Sequence, residues 1–244
     1  MPLGIHVGSK MEITVIIPEL ISLHELVYSP ERLNGSEEGL SLSKKIAVLI
    51  ELAKLLNQLH SLGTPYAHGN LNSHNVFVEL PDNDNEPPIV RIGEIEMSDF
   101  KRYANLFFNY RSVSVYSAPE CLAQPKKRLD PTPQMDVYSF GVLMWELLYE
   151  KEPFDGVLST AVEYVVKEDA RPLIQTADKS KTVDLDEAGD VLLLTEDLAN
   201  IIRRCWQTDV AERPSLGRVA KELLDQQRHI FQTYDDDEHQ LIEQ

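Results

Sequence analysis

Residues 137–148 read Val-Tyr-Ser-Phe-Gly-Val-Leu-Met-Trp-Glu-Leu-Leu. Wound into a helix, this run puts apolar side chains on nearly every face and leaves no side for water. It is shorter than the ~18 residues that a membrane span needs. Such a helix has one stable place, the centre of a globular domain with other elements packed all round it. Pro131 and Pro133 precede it, and Glu152-Pro153-Phe154 ends it. With 244 residues, 43% of them hydrophobic, the chain can supply the wrapping.

Candidates for that wrapping lie on both sides. Ile46, Leu49, Ile50, Ala53, Leu56 and Leu59 recur at helical spacing after a cap at Ser41 or Ser43, and His60 and Gly63 close the pattern. Further helices are expected over 23–33, 161–167, 194–205 and from Leu216 to Leu224. Glu12 to Ile17 is a β-branched run stopped by Pro18 and reads as a strand buried on both faces. Val76-Phe77-Val78 and Ile89-Val90-Arg91-Ile92 flank a turn-rich stretch, 81–88, and suggest a hairpin. Residues 177–189 form a charged insert, and the tail from Tyr234 to Gln244 reads as solvated and frayed. Strands come first and helices follow, which predicts an α+β domain, mainly helical with a strand-bearing end. The expected divisions are 1–33, 34–230 and an acidic tail, 231–244.

Charge narrows the partners. A net charge of −17 repels nucleic acid and anionic membrane surfaces, so protein partners are expected. Cys121 and Cys205 lie far apart with no metal-ligand spacing and read as reduced thiols. No membrane span or leader is visible, and a cytoplasmic setting follows.

The chemistry-bearing stretch is His68-Gly69-Asn70-Leu71-Asn72-Ser73-His74-Asn75, a polar loop between a helix and a strand. After it come Tyr116-Ser117-Ala118-Pro119-Glu120, then Asp136-Val137-Tyr138-Ser139-Phe140-Gly141 running into Met144-Trp145-Glu146-Leu147. Pro153-Phe154, Arg171-Pro172, Cys205-Trp206 and Glu212-Arg213-Pro214 complete the series. In this order the motifs resemble the C-terminal lobe of a protein kinase of the tyrosine-kinase-like branch. The resemblance covers residues 12 to 225. Around Leu71-Asn72-Ser73 and 90–100 the chain is also similar to the integrin-linked kinases, which are pseudokinase scaffolds.

The resemblance assigns structural roles to Glu120 paired with Arg213, to Asp136 beneath the loop, and to Trp206 in the core. It also exposes departures from the family's His-Arg-Asp-Leu-x-x-x-Asn pattern. Asn70 stands at the base position, where an amide bonds a hydroxyl but takes no proton at neutral pH. Gly69 replaces the arginine that docks a phosphorylated segment, and Asn72 replaces a phosphate-contacting lysine. Asn75 is kept. Glu94 falls at the metal-binding aspartate, with Glu96 where a glycine is usual. Val15 falls at the gatekeeper, Pro18 at a hinge position that normally donates an N–H, and Phe77 under the adenine, where it would crowd the pocket. The family's glycine-rich loop, its lysine and its helix glutamate are expected to be missing, because only 17 residues precede Pro18. His68 is read as core packing, and His74 as surface. Tyr110, Ser112, Ser114, Tyr116 and Ser117 are read as ordinary exposed hydroxyls.

These departures imply no catalytic residue among His68, Gly69, Asn70, Asn72 and Asn75, and no bound ATP or magnesium. Were a nucleotide held, Asn75, Glu94, Phe77 and Val15 would contact it, with Asn75 and Glu94 on the metal. The implied function is a catalytically inactive kinase-like scaffold that associates with proteins, with homo- or hetero-association expected through its strand-bearing end. The alternatives are a weak or atypical Ser/Thr or Tyr protein kinase, and a nucleotide-binding switch.

Overall fold

The computed structural model describes residues 4–7, 13–16, 20–29, 40–62, 66–81, 83, 86–93, 115–123, 130–157, 159–176 and 194–242. Strands β1 (Gly4–Val7) and β2 (Ile13–Ile16) form an antiparallel pair, with Ile5 opposite Val15. A second sheet has the order β3-β4-β5, all antiparallel: β3 (Ile21–Ser22), β4 (Val76–Glu79) and β5 (Ile89–Ile92). Phe77 lies between Ser22 and Arg91 in that sheet. The helices are α1 (Leu23–Tyr28), α2 (Leu42–His60), α3 (Pro119–Ala123), α4 (Pro133–Tyr149), α5 (Ser159–Lys167), α6 (Glu196–Cys205) and α7 (Leu216–Ile242). This is an α+β fold, mostly helical, with two small sheets among the described residues.

Helix α4 is the axis. Tyr138, Phe140, Val142, Leu143, Met144 and Leu147 point to different sides of it, and all are fully buried. Burial of each large apolar side chain contributes roughly 1.5–3 kcal/mol. Helix α6 closes on it at Gly141, where an added Cβ would stand 2.8 Å from the Cβ of Cys205. Only glycine lets the two backbones approach so closely. Leu198, Ile201, Ile202 and Cys205 form the buried stripe of α6, and the Thr195 side chain caps it by accepting from Leu198 N. Helix α2 packs along α7 and buries Ile46, Leu49, Ala53 and Leu56. Ser41 caps α2 by accepting from Lys44 N, and the helix ends at His60.

Several elements depart from the sequence-based expectations. Helix α1 stops at Tyr28 and not at Leu33, because Ser29 leaves the helical region at φ −140°. A capping box starts it: Ser22 Oγ accepts from Glu25 N at 3.1 Å, and Glu25 Oε2 accepts from Ser22 N at 3.1 Å. Strand β1 and the short β3 were not anticipated. Helix α7 continues through the acidic tail to Ile242, where a frayed end was expected. Pro18, Gly63, Glu94, Glu96, Tyr110, Ser112, Ser114 and the insert 177–189 lie outside the described residues. Val15 is described only as a strand residue.

Candidate functional site

The loop 68–75 hangs from one buried carboxylate. Asp136, in the first turn of α4 and 1% exposed, accepts from His68 N at 2.7 Å and from Gly69 N at 2.9 Å. His60, at the end of α2, brings Nε2 within 2.9 Å of the same group. Two backbone donors and one imidazole thus converge on Asp136, and the loop cannot shift without orphaning them. Gly69 holds φ +71°, and a Cβ there would lie 2.6 Å from Pro131 Cγ. Its glycine is therefore a requirement of backbone shape as well as the loss of a cation.

His68 is fully buried. Its Nε2 lies 2.8 Å from Gly93 O, a pure acceptor, so Nε2 carries the proton. Nδ1 then accepts from Asn70 N at 3.3 Å. With both nitrogens engaged in holding β5 and the loop together, the ring is placed as a spacer.

The amides knit the rest. Asn72 Nδ2 and Asn75 Nδ2 both donate to Asn70 O, at 2.9 and 2.8 Å. Asn72 Oδ1 accepts from His74 N at 3.0 Å, and Asn75 N donates to Asn72 O at 3.1 Å. Asn75 O accepts from Gly93 N at 2.8 Å, which ties the loop to β5 a second time. His74 is exposed and stacks on His24 of α1, with ring centroids 3.9 Å apart. Burial, and then the neighbouring His74, lower the His24 pKa.

A cleft of about 120 Å³ opens beside Asn70, between Gly69 and Leu71 on one wall and Tyr116, Ser117 and Cys121 on the other. Tyr116 corrects an expectation: it is no exposed hydroxyl. It is 8% exposed, and its hydroxyl donates to Glu146 Oε2 at 2.6 Å. Ser73 Oγ and Tyr28 Oη donate to Glu146 Oε1 at 2.9 and 3.2 Å. Burial raises the pKa of Glu146, and burial followed by the Glu146 charge raises those of Tyr28 and Tyr116. The sequence reading passed over Glu146, although a lone carboxylate in an otherwise apolar helix was the available signal.

Below the cleft, Arg213 donates to both oxygens of Glu120, to Gln134 O and to Gln207 O. Its guanidinium also lies over the Tyr138 ring, 5.2 Å from the centroid. Trp206 is buried, and its carbonyl accepts from Arg171 Nε at 3.0 Å. Phe77, half-buried, sets its ring where a Cβ on Gly93 would stand 2.8 Å from Cε2. Of the residues considered for metal or nucleotide, Asn75 and Phe77 lie at the loop and the neighbouring strand. Among the described residues no group of three or more His, Cys, Asp or Glu gathers to hold a metal.

The family model for protein tyrosine and serine/threonine kinases matches residues 3–223. The chain belongs to the protein kinase family. This kinase domain is 28% identical over 192 residues to mouse (Mus musculus) ankyrin repeat and protein kinase domain-containing protein 1, a match that covers 78% of this chain and 24% of the relative. It is 24% identical over 234 residues to the probable serine/threonine-protein kinase qkgA of Dictyostelium discoideum, covering 88% of the chain and 14% of that protein. With serine/threonine-protein kinase CTR1 of Arabidopsis thaliana it shares 26% identity over 199 residues, covering 81% of the chain and 21% of the relative. The kinase domain thus spans at most about a quarter of the length of these relatives.

These relatives overturn the expectation that the chain is not an enzyme. Proteins named serine/threonine kinases align with most of its length. The physical error lay in equating loss of the loop carboxylate with loss of transfer. Phosphoryl transfer passes through a loose transition state and relies mainly on positioning and charge neutralisation, so a missing base removes one contribution among several. Among the described residues no helix is long and apolar enough to cross a membrane.

Proposed function

We propose that this domain is an atypical serine/threonine protein kinase, an ATP-dependent phosphotransferase acting on protein hydroxyls. The observation that carries the reading is the fully bonded loop 68–75, which sets Asn70 at the wall of a cleft and fixes Asn75 beside it. The names of the aligned relatives support the serine/threonine class. The pairing of Met144-Trp145-Glu146-Leu147 with Cys205-Trp206 supports the tyrosine-kinase-like branch.

The residues divide the work. Asn70 orients the attacking hydroxyl by a hydrogen bond and takes no proton. The bond from the γ-phosphorus to its bridging oxygen breaks and a bond to the hydroxyl oxygen forms. ADP leaves, and the hydroxyl proton passes to an oxygen of the transferred group or to water. Asn75, whose Nδ2 donates to Asn70 O, would hold magnesium through its Oδ1, and Glu94 would be the second ligand. Magnesium, when bound, supplies charge neutralisation. A protein substrate rich in basic residues complements the net charge of −17, and the reduced thiols of Cys121 and Cys205 suit a cytoplasmic setting.

The test is incubation with γ-labelled ATP, magnesium and a panel of serine- and threonine-containing basic peptides. Label transfer that Asn75→Ala abolishes supports the reading. No transfer to any peptide, at any magnesium concentration, overturns it.

A further inference from the structure

Two carboxylates of α4 reach the loop 68–75, and only one of them, Asp136, lies next to its start. Glu146 stands ten residues further along the same helix, about 15 Å in rise and about 80° round from Asp136. It is 2% exposed, inside the apolar core, and should be costly there. Three hydroxyls from three separate segments satisfy it. Ser73 comes from the loop, Tyr116 from the segment leading into α3, and Tyr28 from the end of α1. Ser73 is fully buried, and its Oγ also lies 3.1 Å from the Tyr116 hydroxyl. Ser73 Oγ and the Tyr116 hydroxyl each reach Glu146, and their own close approach closes the triangle between loop, segment and helix.

We propose that Glu146 is a positioning residue that couples the two walls of the cleft, holding loop 68–75 through the Ser73 hydroxyl and residues 115–118 through the Tyr116 hydroxyl. Asp136 fixes the loop at residues 68 and 69. Ser73 fixes it five residues from His68, immediately before His74 and Asn75. Between the two anchors the carbonyl of Asn70 accepts from Asn72 and Asn75, so the tether at Ser73 reaches Asn70 through two short amide bonds. Without that tether the C-terminal half of the loop keeps its backbone tie to Gly93 but loses its side-chain anchor to α4. Residue 116 loses its link to the loop at the same time, and Tyr28 transmits the anchor to α1. The kinetic consequence rests on the phosphotransferase reading above; the mechanical coupling stands without it.

Both parts are tested on the full chain by amide hydrogen exchange, followed by mass spectrometry, of Ser73→Ala, Glu146→Gln and the double variant. In Ser73→Ala, exchange rises roughly tenfold over residues 70–75 and also over 115–118, while α6 and α7 keep their protection. The double variant exchanges no faster than the faster single one, because both substitutions cut the same link. In Ser73→Ala kcat falls roughly tenfold, with KM for ATP and peptide within about twofold, the pattern of lost positioning. Should Glu146→Gln not fold, Ser73→Ala and Tyr116→Phe answer the same question. Unchanged exchange over 115–118 in Ser73→Ala, or additive single effects, overturns the coupling. A wild-type protein that transfers no phosphate counts against the proposed function and leaves the exchange result to decide the coupling.

Discussion

The guanidinium of Arg213 grips the carboxylate of Glu120 through two parallel N–H···O bonds of 2.7 and 2.8 Å, across 93 residues of sequence. Arg213 is wholly enclosed, and its remaining donors reach Gln134 O, Gln207 O and, at 3.5 Å, Thr208 O. Removing it takes a donor from a carboxylate and three carbonyls. Arg213→Ala is therefore expected to cost about 3–5 kcal/mol, as breaking one side of an enclosed ion pair does. Arg213→Lys recovers less than half of that, because an ammonium cannot match the planar fork. Urea unfolding midpoints measure both.

Gly69 gives a second stability prediction. Alanine there meets a left-handed backbone at φ +71° and Pro131 Cγ at 2.6 Å. The backbone term costs about 1–2 kcal/mol and the clash roughly 1–3 kcal/mol more. Gly156 holds a similar φ of +77° with nothing within 4 Å, so Gly156→Ala isolates the backbone term. Differential scanning calorimetry should rank Gly69→Ala well below Gly156→Ala.

Two carboxylates give pH dependences of opposite sign. Burial raises the folded pKa of Glu146 above its ordinary value of 4.5. Its favourable contribution is fully present below that value and is lost as pH rises through the raised one. The hydrogen bond from Arg204 lowers the folded pKa of Glu222. Its contribution is present above 4.5 and is lost as pH falls through the lowered value. With rising pH, wild type should lose stability relative to Glu146→Gln and gain it relative to Glu222→Gln. Urea midpoints above about pH 4 read the Glu146 trend and midpoints below about pH 4 the Glu222 trend, each between the group's ordinary and shifted pKa.

The two thiols should differ in reactivity. Cys205 is fully enclosed against α4, and burial pushes its pKa up to about 12. Cys121 lies at the cleft and is half-buried. Iodoacetamide should modify Cys121 in the native protein and reach Cys205 only after denaturation. Mass spectrometry after a timed pulse reads the ratio.

The legible parts of the fold were the local and periodic ones. The all-apolar face pattern of 137–148 gives the central helix, and the 46–59 spacing gives α2. Two apolar runs around a turn give the β4-β5 hairpin. Strand β3 has only Ile21 and Ser22, too few residues for any period to register. The acidic tail reads as unfolded by charge, yet Gln232, Glu238, Gln240 and Leu241 are good helix formers and continue α7. At the site, the motif order located Asp136, Glu120 and Arg213. It could not show that Gly69 serves a left-handed backbone, nor that Tyr116, Ser73 and Tyr28 meet at Glu146. Those contacts join residues 30 to 118 positions apart and leave no local trace. The loss of enzymatic function inferred from Asn70 failed for a different reason, since one substituted base does not decide a reaction governed by positioning.

Asn70→Asp tests the central claim most directly. If the loop already positions the hydroxyl and lacks only a proton acceptor, restoring the carboxylate should raise kcat for peptide phosphorylation by about 10²-fold, the lower end of general-base contributions. KM for ATP should stay within about twofold, because the residue touches the acceptor and not the nucleotide. Measurable transfer by wild type together with that rise is the predicted result. No transfer by either protein, with the fold intact by circular dichroism, would contradict the account.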